Sequence, residues 1–291
     1  MQCTRREALV GAAAWAVSAL LPDRAFADPP ARGAGGFELG LQSFTLRKLP
    51  LESMLDAVAR LGLRQVELIP DTRLLFYSFG SHLPIDTDAA GIENVHAALA
   101  ARDLRLSASG VHGVADAAEA ERLFRFARRA RIPLLTIAPE DEALDALDRL
   151  CGAHPEVRLG IHNHGPYFRY DKIADVEQAL AGRHPGFGAC VDTGHFIRSG
   201  EDPAEAMQRL GARVHGVHLK DFRDEGFFAE GCVLGEGKLQ LDPCFRTLRQ
   251  IGFGPEQALS IEYEENPDDP IADVDACVRA ATVAAQRVER G

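Results

Sequence analysis

From Phe37 onward, short apolar runs alternate with longer stretches in which apolar residues return every three or four positions. The short runs read as strands: FELGLQSF (37–44), QVELIP (65–70), LRLSASG (104–110), LLTIAP (134–139), RLGIHNH (158–164), GACVDTG (188–194), VHGVHLKD (214–221) and ALSIEYE (258–264). The stretches between them read as helices. LESMLDAVARLG (51–62) places Leu51, Met54, Leu55, Val58 and Leu61 on one face and stops at Gly62; ADVEQALAG (174–182) and DPAEAMQRLG (202–211) also stop at glycine. Asp202-Pro203 supplies a helix cap followed by proline in the first turn. Eight strands alternating with helices over residues 37–287 predict one α/β domain, a (β/α)8 or TIM barrel. The alternative, an open doubly wound sheet, calls for a glycine-rich phosphate loop after the first strand, and LQSFTLR contains no glycine. The stretch from Thr72 to Gly91 is longer than most strand-to-helix loops and predicts a lid.

Side chains alternate across a strand, so in a barrel one set meets the helices and the other meets the axis. In RLGIHNH, Leu159 and Ile161 face the helices, which turns His162 and His164 inward. The same phase turns Asp192 of GACVDTG, His218 and Lys220 of VHGVHLKD, Glu262 and Glu264 of ALSIEYE, and Glu67 of QVELIP inward. Five strands, read independently, thus deliver ionisable residues to the C-terminal end of the barrel, where such folds place their chemistry. Any one of them reads equally as a satisfied polar residue or a loop ion pair. Together they form a set of histidines and carboxylates that suits Mn²⁺, Zn²⁺, Co²⁺ or Fe²⁺, and carboxylates so close need a cation beside them.

Composition narrows the partners. A net charge of −11 over 291 residues argues against nucleic acid, which asks for a basic surface. The first 27 residues read as a signal peptide: Arg5-Arg6, an apolar run from Val10 to Leu21, then Ala25-Phe26-Ala27 as a cleavage pattern. The paired arginines resemble a bacterial twin-arginine signal, which predicts the twin-arginine export machinery as a partner and a periplasmic protein, exported folded with its metal in place. A Pro/Gly/Ala linker follows at 28–36, and no later apolar run is long enough for membrane insertion after cleavage. The remaining cysteines, Cys151, Cys190, Cys232, Cys244 and Cys277, are odd in number and lack CxxC spacing, so they read as buried apolar fillers.

The motifs VDTGH (191–195), VHLKD (217–221), LGEGKLQLDP (234–243) and SIEYE (260–264) resemble the sugar phosphate isomerase/epimerase family. This is the xylose-isomerase-like barrel group, with ketose 3-epimerases, inosose dehydratases and the endonuclease IV type of DNA repair enzyme among its members. The likeness runs from Phe37 to about Ala284, and the second half carries the specific motifs. It implies one divalent metal ion at the barrel mouth, manganese first, with zinc, cobalt or iron as alternatives. Carried over, the ligands are Asp192, His218 and Glu262, and His195 contacts substrate. Family members have a glutamate on the fifth strand, where this chain has His162; His164 matches their following histidine. We take His162 as the fourth ligand and His164 as a substrate contact, with an exchange of roles left open.

The resemblance implies proton abstraction next to a carbonyl through an enediolate. With His162 in the glutamate's place, one of the two carboxylate bases of an epimerase is missing. Glu262, Lys220 and Glu67 are the catalytic candidates, because a lysine beside a metal ion can lose its proton near neutrality. His164, His195, Glu264 and the loop residue His82 are the substrate-binding candidates. His112 is read as lining the mouth, and Phe44, Phe76, Tyr77 or Phe196 as stacking on a sugar ring. The predicted function is a metal-dependent sugar isomerase or epimerase acting on a small-molecule carbohydrate. The alternative is a lyase or dehydratase acting on a keto-sugar or keto-glycoside, and the third reading is a non-catalytic sugar-binding protein. No basic cluster for a phosphate is evident, and LGEG (234–237) reads as turn geometry; an oligomer is left open.

Overall fold

The computed structural model describes residues 35–70, 73–74, 77–78 and 81–291. The expected signal segment at 1–27 and most of the linker at 28–36 lie outside them, as does Phe76. All eight predicted strands are present: β1 (Leu39–Gln42), β2 (Gln65–Leu68), β3 (Arg105–Val114), β4 (Leu134–Pro139), β5 (Arg158–His162), β6 (Phe187–Asp192), β7 (Val214–Leu219) and β8 (Ala258–Ile261). Each pairs in parallel with its neighbours in sequence, and β1 closes onto β8 to complete the barrel.

The predicted runs overshoot the ladder at the barrel mouth. RLGIHNH leaves it after His162 and ALSIEYE after Ile261. Beyond those points the chain turns outward into loops, so Asn163, His164, Glu262 and Glu264 stand on the rim.

The helices lie outside the barrel because their apolar stripes have only the outward strand residues to cover. The first helix, α1 (Leu51–Arg60), buries Met54, Leu55 and Val58. On the strands Val66, Leu68, Leu159, Ile161, Val217, Leu219, Leu259 and Ile261 are fully buried, as the period-two reading requires. Burial of each such side chain contributes roughly 1.5–3 kcal/mol. Aspartates start several helices: Asp88 caps α2 (Ala89–Ala100), Asp116 caps α3 (Ala117–Arg129), and Asp202 caps the helix at Pro203–Leu210.

The stretch predicted as a lid is divided. Arg73–Leu74 pairs antiparallel with Tyr77–Ser78, and the backbone amides of His82 and Leu83 both donate to the Ile69 carbonyl, at 3.2 and 3.1 Å. α2 then begins inside the predicted loop, so the half from residue 81 onward is tied back to the end of β2. Phe196 is fully buried, and Phe44 lies under the Arg47 guanidinium at 4.5 Å. The five cysteines from Cys151 to Cys277 are free and buried.

His112 does not line the mouth. Its ring stands 6.4 Å from Phe126 of α3 and its Nε2 lies 3.1 Å from Ser109 Oγ, so it belongs to the layer between barrel and helix. His215, on β7, sets its Nδ1 2.8 Å from the Leu159 carbonyl. Burial pushes both imidazoles down to about 4. Between that value and the ordinary histidine pKa, the unfolded chain binds protons that the folded one refuses. Stability therefore falls as pH drops below about 6.5, by an order of 1–2 kcal/mol per histidine at pH 5. Urea unfolding should show a lower midpoint at pH 5 than at pH 7.5, and His215→Gln should shrink that difference. An unchanged difference in the variant would show that His215 titrates normally.

Candidate metal centre and active site

Four adjacent strands set the geometry. His162 ends β5, Asp192 ends β6, His218 is the penultimate residue of β7, and Glu262 follows β8 directly. One atom from each side chain lies within 4.8 Å of the other three, and all four residues are buried. His162 Nε2 is 3.4 Å from Asp192 Oδ2 and 4.0 Å from Glu262 Oε2. His218 Nδ1 is 3.9 Å from Asp192 Oδ2 and 3.1 Å from Glu262 Oε2. Ligands placed about 2.1 Å from a tetrahedral ion stand about 3.4 Å apart, in the middle of this range.

None of these four atoms makes a well-formed hydrogen bond; the two carboxylate oxygens meet only ion-pair contacts, from Lys220 and the neighbouring histidines. Buried polar atoms are nearly always hydrogen-bonded, so four such atoms from four strands converging on one point form a donor set that fits a cation. Two imidazole nitrogens and two carboxylate oxygens fit a divalent transition-metal ion.

The residues around the cluster explain the local sequence. Asp192 accepts the His195 amide on Oδ1 at 2.8 Å, which caps the short helix Thr193–Arg198 and leaves Oδ2 for the cluster. Thr193 Oγ1 accepts from the Lys220 amide at 2.9 Å and donates to the Lys220 carbonyl at 2.6 Å. A Cβ on Gly194 would stand 2.6 Å from Lys220 Cγ, so glycine there lets the lysine pass. Asn163 makes two further bonds: its Nδ2 donates to the Asp192 carbonyl at 2.9 Å and its Oδ1 accepts the Asp192 amide at 2.8 Å. It sets the spacing between His162 and Asp192.

Glu67 stands behind His218, not at a substrate face. Its Oε2 is 2.7 Å from His218 Nε2, its Oε1 accepts from Thr136 Oγ1 at 2.5 Å, and the residue is fully buried. With both oxygens engaged it orients the His218 ring so that Nδ1 faces the cluster. This corrects the expectation of Glu67 as a base. A Cβ on Gly110 would come within 1.7 Å of Thr136 Oγ1, so that glycine makes room for the hydroxyl.

Lys220 Nζ lies 2.9 Å from Glu262 Oε2, 3.3 Å from Asp192 Oδ2 and 2.6 Å from Glu264 Oε1. Burial pulls its pKa down, but Asp192, Glu262 and Glu264 outweigh burial and hold it well above the ordinary lysine value. Burial likewise works against ionised Asp192 and Glu262, yet the Lys220 charge keeps both carboxyls below the usual carboxylate range. The ammonium thus touches the same two oxygens that the cluster offers to an ion.

His164 and His195 stack at 5.5 Å between ring centroids, and the His164 ring is 4.8 Å from that of His162. Burial, reinforced by His162, pushes His164 down to about 3. Burial also holds His195 well below the usual histidine value. Both are neutral imidazoles, and Arg198 Nη1 donates to His195 Nδ1 at 3.3 Å. His82 stands apart from this group: its Nε2 meets the Leu49 carbonyl at 3.0 Å, a packing role in place of the expected substrate contact.

The LGEG turn surrounds an anion of the chain's own. Asp221, almost fully buried, accepts the amides of Gly235 at 2.8 Å, Gly237 at 3.0 Å and Leu239 at 2.8 Å. The residues that sequence reasoning missed are Asn163, Thr136, Thr193 and Arg198. Only Asn163 carried a signal, a polar residue out of phase between two inward histidines.

A model of the xylose isomerase-like TIM barrel family matches residues 55–280. The 3-oxo-isoapionate decarboxylase of Pectobacterium atrosepticum is 32% identical over 118 residues, which cover 38% of this chain and 42% of the relative. An inosose dehydratase of Clostridium botulinum is 34% identical over 91 residues, covering 26% of this chain and 30% of the relative. The chain thus spans less than half the length of these curated relatives. Among solved structures, that of the IolI protein with a bound zinc atom has a TM-score of 0.65 at 15% identity, covering 87% of this chain and 98% of that one, a likeness of fold. A family match over most of the chain, on a closed eight-stranded barrel with its polar cluster at the mouth, makes this protein a member of the xylose isomerase-like TIM barrel family.

Proposed function

We propose that this chain is a divalent-metal-dependent enzyme that removes a proton next to the carbonyl of a keto-sugar or related carbohydrate and completes the reaction by elimination. The observation that carries the reading is the convergence on one point of buried ligand atoms from His162, Asp192, His218 and Glu262, none of them in a well-formed hydrogen bond. The ion, when bound, supplies Lewis acidity that polarises a substrate carbonyl and acidifies the neighbouring C–H bond. Manganese and zinc are the ions to test first, because both accept mixed imidazole and carboxylate ligands.

The chain's own residues supply the rest. Neutral His164 and His195, stacked beside the cluster, offer acceptors for substrate hydroxyls or for a proton. With Asp192 and Glu262 engaged by a cation, Lys220 keeps Glu264 as its main partner and becomes easier to deprotonate, which gives it the base role. Its proton can then pass to Glu264, the half-exposed carboxylate at 2.6 Å.

Elimination is favoured over epimerisation by the imidazole at position 162. A two-base epimerase needs a base on each face of the sugar, and an imidazole whose lone pair holds a metal cannot be one of them. The likeness to a dehydratase and a decarboxylase points the same way. The isomerase or epimerase reading keeps one supporting observation: Lys220 bridges two carboxylates, Glu262 and Glu264, which could act as a donor and acceptor pair.

Metal analysis by mass spectrometry on protein purified without a histidine tag should find one equivalent of a transition metal. His162→Ala should lower the affinity by about 10²-fold, and Glu67→Gln, which meets His218 on the side away from the cluster, by about 10- to 100-fold. Unchanged affinity in Glu67→Gln would show that His218 needs no orienting carboxylate. Incubation with keto-hexoses and keto-glycosides in D₂O, followed by NMR, distinguishes the reactions. Elimination releases water or the substituent, whereas epimerisation returns a deuterated sugar of unchanged skeleton. Glu262→Gln should abolish either; full activity in that variant would remove Glu262 from the chemistry.

A further inference from the structure

Among the described residues five large apolar side chains are exposed, and four of them are aromatic: Tyr167, Phe168, Phe227 and Phe228. Tyr167 and Phe228 are 90% and 95% exposed. Isolated exposed apolar residues are ordinary, but a contiguous group marks a binding surface. Tyr167, Phe227 and Phe228 are in ring contact, and Phe168 adjoins Tyr167 in the chain. They lie on two loops, one following β5 and one following β7, and the loops meet through their rings. Tyr167 stands 6.0 Å from Phe227, which stands 5.1 Å from Phe228.

The group is also continuous with the active site. The Phe168 ring is 5.4 Å from that of His164, which stacks on His195 beside the cluster. Arg198 ties the second loop to the same place, donating to the Phe227 carbonyl at 2.6 Å and to His195 Nδ1 at 3.3 Å. The patch therefore begins where a sugar held by the histidines would end. Its ring faces and edges can pair with those of an aromatic group in the offset-stacked and edge-to-face arrangements that such rings prefer.

We infer that Tyr167, Phe168, Phe227 and Phe228 form a subsite for an aromatic group carried on the carbohydrate, so that the chain takes aryl glycosides in preference to free sugars. The inference rests on the carbohydrate reading of the site given above. The occupant is committed to by this continuity with the histidine cluster, and a second copy of the chain is the competing occupant.

The test compares phenyl β-D-glucopyranoside with methyl β-D-glucopyranoside as probes. Neither carries the reactive carbonyl, so both report binding without turnover. Calorimetry and saturation-transfer NMR are run on the metal-loaded wild type and on Tyr167→Ala/Phe228→Ala, whose changes fall on exposed side chains. The phenyl compound should bind about tenfold more tightly than the methyl compound to the wild type, with the ratio near one in the variant and metal content unchanged. Equal binding of the two probes by the wild type, or a preference that survives in the variant, overturns the subsite and leaves the carbohydrate reading standing. So does sedimentation showing a wild-type dimer that the variant breaks, since the patch would then belong to a second copy. Binding of neither probe by metal-loaded protein overturns the carbohydrate reading and the subsite with it.

Discussion

Negative charge packed into a dry place governs the mouth of this barrel. Glu67, Asp192 and Glu262 bring three carboxylates into a volume with almost no solvent access, and like charges so placed repel strongly unless cations stand among them. Lys220 supplies one, and His218, wedged between Glu67 and Glu262, supplies a second point of contact. His162, Asp192, His218 and Glu262 together form the set that could hold a further cation. Much of the local design serves to hold this arrangement at short range. Asn163 fixes one strand end to the next, Thr193 clasps the Lys220 backbone, and Gly194 clears a path for its side chain.

The balance has a chemical use. A lysine held among three carboxylates keeps its proton firmly, and the number of negative charges left to it decides how firmly. Neutral His164 and His195 lie alongside and do not compete for that charge. On the proposed metal-dependent reading, an ion on Asp192 and Glu262 would share its oxygens with Lys220 and so be linked to that lysine's proton affinity.

Strand periodicity made the fold and the inward residues legible, because a period of two admits no drift: once Leu159 and Ile161 face the helices, His162 must face the axis. The same logic placed Asp192, His218, Lys220 and Glu262. It failed where the answer depended on a partner across the barrel. Glu67 has the right phase for a base, but its position behind His218 follows from the distance between β2 and β7, which no local pattern encodes. His112, read as lining the mouth, lies beyond the predicted end of its strand at Gly110, where β3 shifts register against β4 between Ser109 and His112. Loop residues carry no period at all. Hence His82 was placed over the substrate when it packs on Leu49, and the aromatic loops around Tyr167 and Phe228 passed without notice.

The turn around Asp221 bears on selectivity. Amides of a glycine-rich turn that converge on one point commonly hold a phosphate, and here they converge on a carboxylate of the same chain. A tethered anion competes at an effective concentration of millimolar or more, whatever the medium contains. Any external phosphate would have to unseat a resident that never diffuses away, and the loop would lose its fold in the exchange. The turn is in this sense already liganded, by a side chain of its own.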